Sequence, residues 1–142
     1  MTSDRIARDS LRQARTRRLA LDTFLQAGAH AVAVRESQDI VELILKGALR
    51  YVGVEPPKRH DVHGVVEHFI DRFLPGWRST LAELRTALDR LAEDRGPAFY
   101  GDEAEDVPAS DLFGEGDARR AVETADRLLT LYARLLGEEG RP

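Results

Sequence analysis

A proline pair, Pro56-Pro57, follows a long amphipathic stretch and constrains the fold of this chain more than any other feature. Proline has a fixed φ and no amide proton, so it cannot continue a helix. Before the pair, apolar residues recur at helical spacing over residues 30–52, and Gly53 is a typical helix terminator. After it, the cluster Lys58-Arg59-His60-Asp61 opens a new segment. A long helix must therefore end just before the prolines, and another element must start just after them.

Glycines and polar capping residues divide the rest of the N-terminal half into helices. The first helix is predicted over residues 4–27, with Ser3 as its cap and Gly28 as its terminator. Gly28 leaves almost no loop before the second helix, so the two should form an antiparallel hairpin. A third helix is predicted to start near Asp61, whose carboxylate can cap it, and to end before Pro75.

The C-terminal half predicts two more helices on either side of an acidic segment. Thr80 and Glu83 form a capping-box pattern ahead of the fourth helix, and Trp77 is expected to be buried between the third and fourth helices. Asp117 can cap the last helix, which Gly137 closes. Five helices with short connections, and no convincing strand, predict an all-α, up-and-down five-helix bundle.

A chain of 142 residues has the length of one domain. The domain is predicted over residues 1–137, with a disordered tail at 138–142. The five apolar faces provide enough burial to fold without a cofactor. The absence of cysteine excludes disulfides, thiolate metal sites and cysteine nucleophiles. No apolar stretch approaches the roughly 18 residues of a membrane span. A cytoplasmic protein without membrane association is expected.

The distribution of charge is more informative than its total. A net charge of −4 excludes bulk attraction to nucleic acid, so any such binding must be local. Arg5, Arg8, Arg12 and Arg15 share one face of the first helix. This arginine stripe is either a solvated face or a contact for RNA phosphates.

Several stretches, in this order, resemble the HEPN (higher eukaryotes and prokaryotes nucleotide-binding) domain family. The resemblance covers nearly the whole chain and implies a HEPN-like helical bundle. It rests first on the hairpin at Ala14–Gly28 and His30–Ala33. The middle part is Glu36-Ser37-Gln38, Glu42 and Lys46, followed by Pro56-Pro57 and His60-Asp61. The last part is Arg95, Ala98-Phe99-Tyr100-Gly101-Asp102-Glu103 and Asp117-Ala118.

The resemblance implies one of two kinds of function. Many HEPN proteins are metal-independent ribonucleases, often toxins of toxin–antitoxin pairs, whose motif is an Arg and a His with four to six residues between them. Two copies of that motif meet across a homodimer. Others lack that motif and are binding modules, commonly paired with a minimal nucleotidyltransferase. The chain's histidines are His30, His60, His63 and His68, and none has an arginine at the required distance upstream. The favoured interpretation is therefore a homodimeric binding module for a nucleotide or RNA, without catalytic residues.

Two alternatives to the binding module stay open. One is a ribonuclease toxin that uses Arg59, His60 or His63 in an atypical arrangement. The other is a structural dimer that binds no ligand.

The candidate residues for nucleotide or RNA binding are basic or aromatic side chains near the predicted helix ends. Cations before a helix N-terminus favour an anion, although Asp61 as a cap would compete for the same amides. An aromatic residue and a guanidinium beside the Gly96-Pro97 turn could hold a base, or could pack the loop onto the bundle. A metal site is not expected, because His60 and His63 lack a third ligand at a specified spacing. The candidates are Lys46, Arg50, Lys58, Arg59, His60, His63, Arg95 and Tyr100.

Overall fold

The structure is a computed structural model that describes residues 4–139, and it confirms the all-α class. Within that range the chain forms seven α-helices and one short 3-10 turn, rather than the five helices predicted. The helices are α1 (Asp4–Gln26), α2 (His30–Tyr51), α3 (His63–His68), α4 (Pro75–Asp94), α5 (Pro97–Tyr100), α6 (Ala109–Leu112) and α7 (Glu115–Leu135), and the 3-10 turn is Ile70–Arg72.

Helix α2 is the centre of the bundle and packs chiefly against α1 and α7. One face of α2 is buried along the length of the helix, and the polar residues Ser37 and Gln38 are buried as well. Close packing depends on Gly47, because a Cβ there would collide with the hydroxyl of Tyr132 on α7. That hydroxyl donates a hydrogen bond of 2.5 Å to the carbonyl of Ala7 on α1. Three helices therefore meet around one glycine.

The helix ends differ from the predictions where packing, rather than capping, selects them. Asp61 does not cap α3, which begins at His63 and is only six residues long. Helix α4 begins at Pro75, a favourable first helical residue, and not at the predicted capping box of Thr80 and Glu83. Trp77 is therefore in the first turn of α4, where it is fully buried against Phe73 with ring centroids 4.9 Å apart.

The acidic segment contains two short helices instead of an open loop. Its turn is closed by backbone hydrogen bonds of 2.8 and 2.9 Å between Asp102 and Val107. Helix α7 then begins at Glu115, and Asp117 accepts a hydrogen bond of 2.9 Å from the amide of Gly114. Among residues 4–139, no helix is both long enough and apolar enough to cross a lipid bilayer.

Two members of the arginine stripe hold the end of α7. Arg8 donates to the carbonyl of Leu136 at 3.0 Å, and Arg15 donates to the carbonyl of Glu138 at 2.9 Å. Leu136 is the C-cap residue of α7, whose carbonyl has no partner within the helix, and Glu138 follows two residues later. The two guanidiniums therefore bind the chain where α7 ends and offset the negative end of the helix dipole. Half of the stripe thus has a structural role.

The predicted tail, residues 138–142, lies partly outside the described residues, and Ser3 lies outside them as well. Glu138, the first residue of that segment, is held by its amide, which donates to the carbonyl of Ala133 at 2.8 Å. Its carboxylate lies 3.7 Å from Arg8. The domain boundary itself stays a prediction.

Replacing Arg15 with alanine should lower the free energy of unfolding by about 1 kcal/mol, since a hydrogen bond from a charged group is lost at a helix end. Urea denaturation followed by circular dichroism measures this difference. The matched control is Arg12→Ala, because Arg12 is exposed and contacts only Asp9, one turn earlier, at 3.3 Å. Equal effects of the two substitutions would contradict the capping role.

Candidate functional site

A single carboxylate on α2, that of Glu42, gathers three of the predicted site residues. Its side chain is 18% exposed. It accepts hydrogen bonds from His60 Nδ1 at 2.8 Å and from Lys46 Nζ at 3.2 Å, and Arg95 Nε lies 4.0 Å away. We call these four residues the Glu42 cluster. It joins the middle of α2 to the loop before α3 and to the end of α4.

The loop reaches the cluster because the chain reverses directly after α2. Gly53 has φ +86°, a left-handed conformation that favours glycine, and the proline pair then keeps the backbone out of a helix. The buried amide of Gln38 donates to the carbonyl of His60 at 3.1 Å. On the other side, Arg35 donates to the carbonyl of Arg95 at 2.8 Å. Both loop residues are thus fixed through their backbones by polar residues of α2.

The imidazole of His60 has the geometry of a proton acceptor. A carboxylate that binds Nδ1–H holds the tautomer in which Nε2 carries a free lone pair. The side chain is 52% exposed, so the rest of the ring is open to solvent. A histidine with one ring nitrogen bound to a carboxylate and the other free is the arrangement typical of a general base.

A basic cleft of about 460 Å³ lies next to the cluster, between the C-terminal end of α2 and the following loop. Its cationic lining residues are Lys46, Arg50 and Lys58, and its one acidic lining residue is Glu55. Neither Arg50 nor Lys58 has an ion-pair partner within 4.0 Å in the part of the chain that the structure describes. Lys46 belongs to both the cleft and the Glu42 cluster.

Arg72 completes the basic end of α2. Its guanidinium donates to the carbonyl of Val52, the residue after the helix, at 3.3 Å. The guanidinium also lies beside Gly53, which lines the cleft: a Cβ added to Gly53 would be 3.8 Å from Arg72 Nη1. The C-terminal end of a helix carries partial negative charge, and Arg72 offsets it beside the cleft.

The remaining three candidates lie apart from this site. His63 Nε2 is 2.6 Å from Asp89 of α4, so its ring links α3 to α4. Arg59 is exposed and lies 3.7 Å from Asp61. Tyr100 is 66% exposed and stacks edge-to-face on its neighbour, with ring centroids 4.7 Å apart. Across residues 4–139, no three His, Asp or Glu side chains are grouped closely enough to hold a metal ion.

The sequence analysis missed the organising residues of the site. Glu42 was cited only as part of the family resemblance, and Gln38, Arg35 and Arg72 were not considered as site residues. Gln38 gave a usable signal, because a polar residue among the apolar positions of a buried helix needs a partner. Arg72 gave none, since its partner is a carbonyl twenty residues away.

Comparison with protein families identifies the family to which the whole domain belongs. The family model described as HEPN domain matches residues 7–136, which is nearly all of the described chain. The searches of curated proteins and of solved structures gave no match. Because the family model covers far more than half of the sequence, this chain belongs to the HEPN domain family.

Proposed function

We propose that this HEPN domain is a binding module for a nucleotide or RNA, whose phosphates bind in the basic cleft at the end of α2. The observation that supports the proposal most directly is the charge balance of the cleft. Three cations and one carboxylate line it, and the guanidinium of Arg50 and the ammonium of Lys58 are free of ion pairs among the described residues. Such cations bind phosphate without first having to break an existing salt bridge.

The chemistry of the cleft favours phosphates over bases. Its lining contains no aromatic side chain on which a base could stack. Lys46 and Arg50 lie one turn apart on α2, so both reach the same side of the cleft. Lys58 approaches from the loop, which places cations on two walls. Binding through phosphates alone should show little base preference.

The test is a titration with a fluorescently labelled single-stranded RNA and with ATP. The double variant Arg50→Ala/Lys58→Ala should weaken RNA binding at least tenfold and lower the salt dependence of binding by about two counterions. The matched control is Arg78→Ala/Arg85→Ala, which removes the same charge from exposed positions of α4. Equal affinities of the two double variants would contradict the proposal.

A second candidate function is metal-independent RNA cleavage, and the hydrogen bond between Glu42 and His60 favours it. In that reaction the imidazole would take the proton of a 2′-hydroxyl, while cations of the cleft hold the phosphate. Purified protein incubated with RNA in chelator should then cleave it, and His60→Ala should abolish cleavage. His63→Ala is the matched control, since His63 is occupied by Asp89. Intact RNA with the wild-type protein would restrict the function to binding.

We also propose that the module is a homodimer formed through exposed apolar residues at the start of α2 and in α5. Val32, Phe99 and Tyr100 are 47%, 61% and 66% exposed and lie on two elements that pack together, so they can form one apolar contact surface. The guanidinium of Arg35, one turn after Val32, lies over the Phe99 ring at 5.0 Å and holds it in place.

Phe99→Glu should convert the homodimer to a monomer, because like charges would meet at the contact. Light scattering coupled to size-exclusion chromatography measures the change in mass. Leu74→Glu is the control, since Leu74 is also exposed but lies in the connection before α4. A wild-type protein that is monomeric at micromolar concentration would rule out this contact.

The protein partner is proposed from family membership. HEPN binding modules are commonly paired with a minimal nucleotidyltransferase, and we propose such a partner for this chain. Co-expression with a candidate nucleotidyltransferase and co-purification through a tag on either protein tests the pairing. A purely structural dimer would bind neither this partner nor RNA.

A further inference from the structure

A second cavity, of about 290 Å³, opens between α4 and α7 and is separate from the basic cleft. Its volume is at the lower end of the range of about 300–1,000 Å³ for small-molecule sites. Its apolar surface comes from three helices, including the buried Val34 of α2, and the charged residues are contributed by α4 and α7. The apolar lining residues are Val34, Ala87, Leu91 and Ala121.

One carboxylate at this cavity, that of Asp94, is held among residues 4–139 only by a long contact with Arg90. Its side chain is 24% exposed, and its nearest cation is Arg90, whose Nε lies 3.6 Å away. That distance is too long for a good hydrogen bond. Burial raises the pKa of Asp94 above its usual value, as expected for a carboxylate that is partly removed from water.

The neighbouring carboxylate, Asp117, is satisfied by the protein itself. It accepts hydrogen bonds of 2.9 Å from the amide of Gly114 and of 2.9 Å from Arg120. The bond from the Gly114 amide is the main reason that the pKa of Asp117 is lowered. Arg90 also reaches Asp117, at 3.4 Å, and so it is shared between the two carboxylates. Of these two carboxylates, Asp94 has the weaker protein donors and is the one open to a donor from a ligand.

We propose that this cavity binds a small organic cation with a flat apolar body, such as an aromatic amidine or amine. Its N–H groups would donate to Asp94, and its ring would lie against Leu91 and Ala121. A ligand cation would replace the weak contact between Arg90 and Asp94, while Arg90 keeps Asp117 as its partner. Charge-assisted hydrogen bonds to a partly desolvated carboxylate are among the stronger polar contacts. The proposal does not depend on the basic cleft or on its ligand.

The test compares benzamidine, benzamide and benzoate, which share a ring but carry a positive, a neutral and a negative group. Binding is followed by chemical-shift changes in a two-dimensional NMR spectrum of the labelled protein. Benzamidine should bind at least tenfold more tightly than benzamide, benzoate should not bind, and the shifts should map to α4 and α7. Equal binding of the three compounds, or no shift with benzamidine at millimolar concentration, would overturn the proposal.

Two variants assign the site. Asp94→Asn keeps the shape of the side chain and should remove the preference for benzamidine over benzamide. Glu93→Gln is its matched control, because Glu93 is the preceding residue of α4, is exposed and does not line the cavity. Ala121→Leu should fill the cavity and abolish binding of benzamidine. RNA binding by all three variants should stay at the wild-type level, and unchanged benzamidine binding by Asp94→Asn would contradict the assignment.

Discussion

Replacing Gly47 with alanine should destabilise the protein by about 2 kcal/mol, because overpacking of a close-packed interior costs about 1–3 kcal/mol. In an exposed helix the same change is favourable by up to about 1 kcal/mol. Here the added methyl group would collide with the hydroxyl of Tyr132 and would lie 3.1 Å from the Cβ of Ser10. Both neighbours are buried, so neither can move without opening the contact between α1, α2 and α7.

The loss of stability in Gly47→Ala comes from a broken hydrogen bond as well as from the steric collision. To make room, the Tyr132 hydroxyl must leave the carbonyl of Ala7, and a buried hydroxyl without its partner costs about 1–3 kcal/mol. The double variant Gly47→Ala/Tyr132→Phe should therefore be more stable than the sum of the two single changes predicts. This non-additivity is the signature of two groups competing for the same space.

Urea denaturation of the wild type, Gly47→Ala, Tyr132→Phe and the double variant measures their free energies of unfolding. The matched control is Gly64→Ala, because Gly64 is helical and exposed, and a Cβ there has no neighbour within 4 Å. It should be neutral or slightly stabilising, since alanine reduces the entropy of the unfolded chain. If Gly47→Ala were as harmless as Gly64→Ala, the three-helix contact would not be as close as the structure shows.

The two longest N-terminal helices were predictable almost residue by residue. The predicted ranges 4–27 and 30–52 correspond to the observed helices Asp4–Gln26 and His30–Tyr51. Their periodicity is long and strong, and Gly28 and Gly53 have the positive φ values of +69° and +86° that mark helix ends. Local sequence determines these two helices because each one ends at a glycine, which can adopt the left-handed conformation that terminates a helix.

The middle of the chain was predicted less well, because tertiary packing decides where its helices start. Thr80 and Glu83 have the spacing of a capping box, but they lie inside α4, which Pro75 begins. Burial of Trp77 in the first turn outweighs a local cap, since a buried tryptophan contributes several times the roughly 1 kcal/mol of a capping bond. Sequence alone does not show which of two competing signals carries more energy.

The site was predicted in its parts but not in its arrangement. Lys46 and His60 were proposed as ligand-binding residues, and the structure places both on Glu42, which was not a candidate. His63, three residues from His60, instead faces Asp89 across the α3–α4 contact. Neighbours in sequence diverge here because a short helix begins between them. Which carboxylate each histidine meets depends on packing between distant segments.

Glu42→Gln should separate the two candidate functions, because binding and cleavage respond to it in opposite directions. Glutamine keeps the size of the side chain and an oxygen that accepts from His60 and Lys46, so the fold should persist. The substitution removes the negative charge that holds Lys46 at 3.2 Å beside the basic cleft. Phosphate binding should therefore become about tenfold tighter, equivalent to about 1.4 kcal/mol.

Cleavage, if the protein performs it, should instead fall at least tenfold in Glu42→Gln. A general base near neutral pH depends on the carboxylate that orients it and that stabilises the imidazolium formed when it takes the proton. Glu36→Gln is the matched control, since Glu36 is also on α2 but pairs with Arg17 of α1 at 3.0 Å. Tighter RNA binding with unchanged cleavage would exclude His60 as the base. Weaker binding would show that Lys46 needs Glu42 to hold it in position. The positive charge of the cleft would then not be what determines its affinity for phosphate.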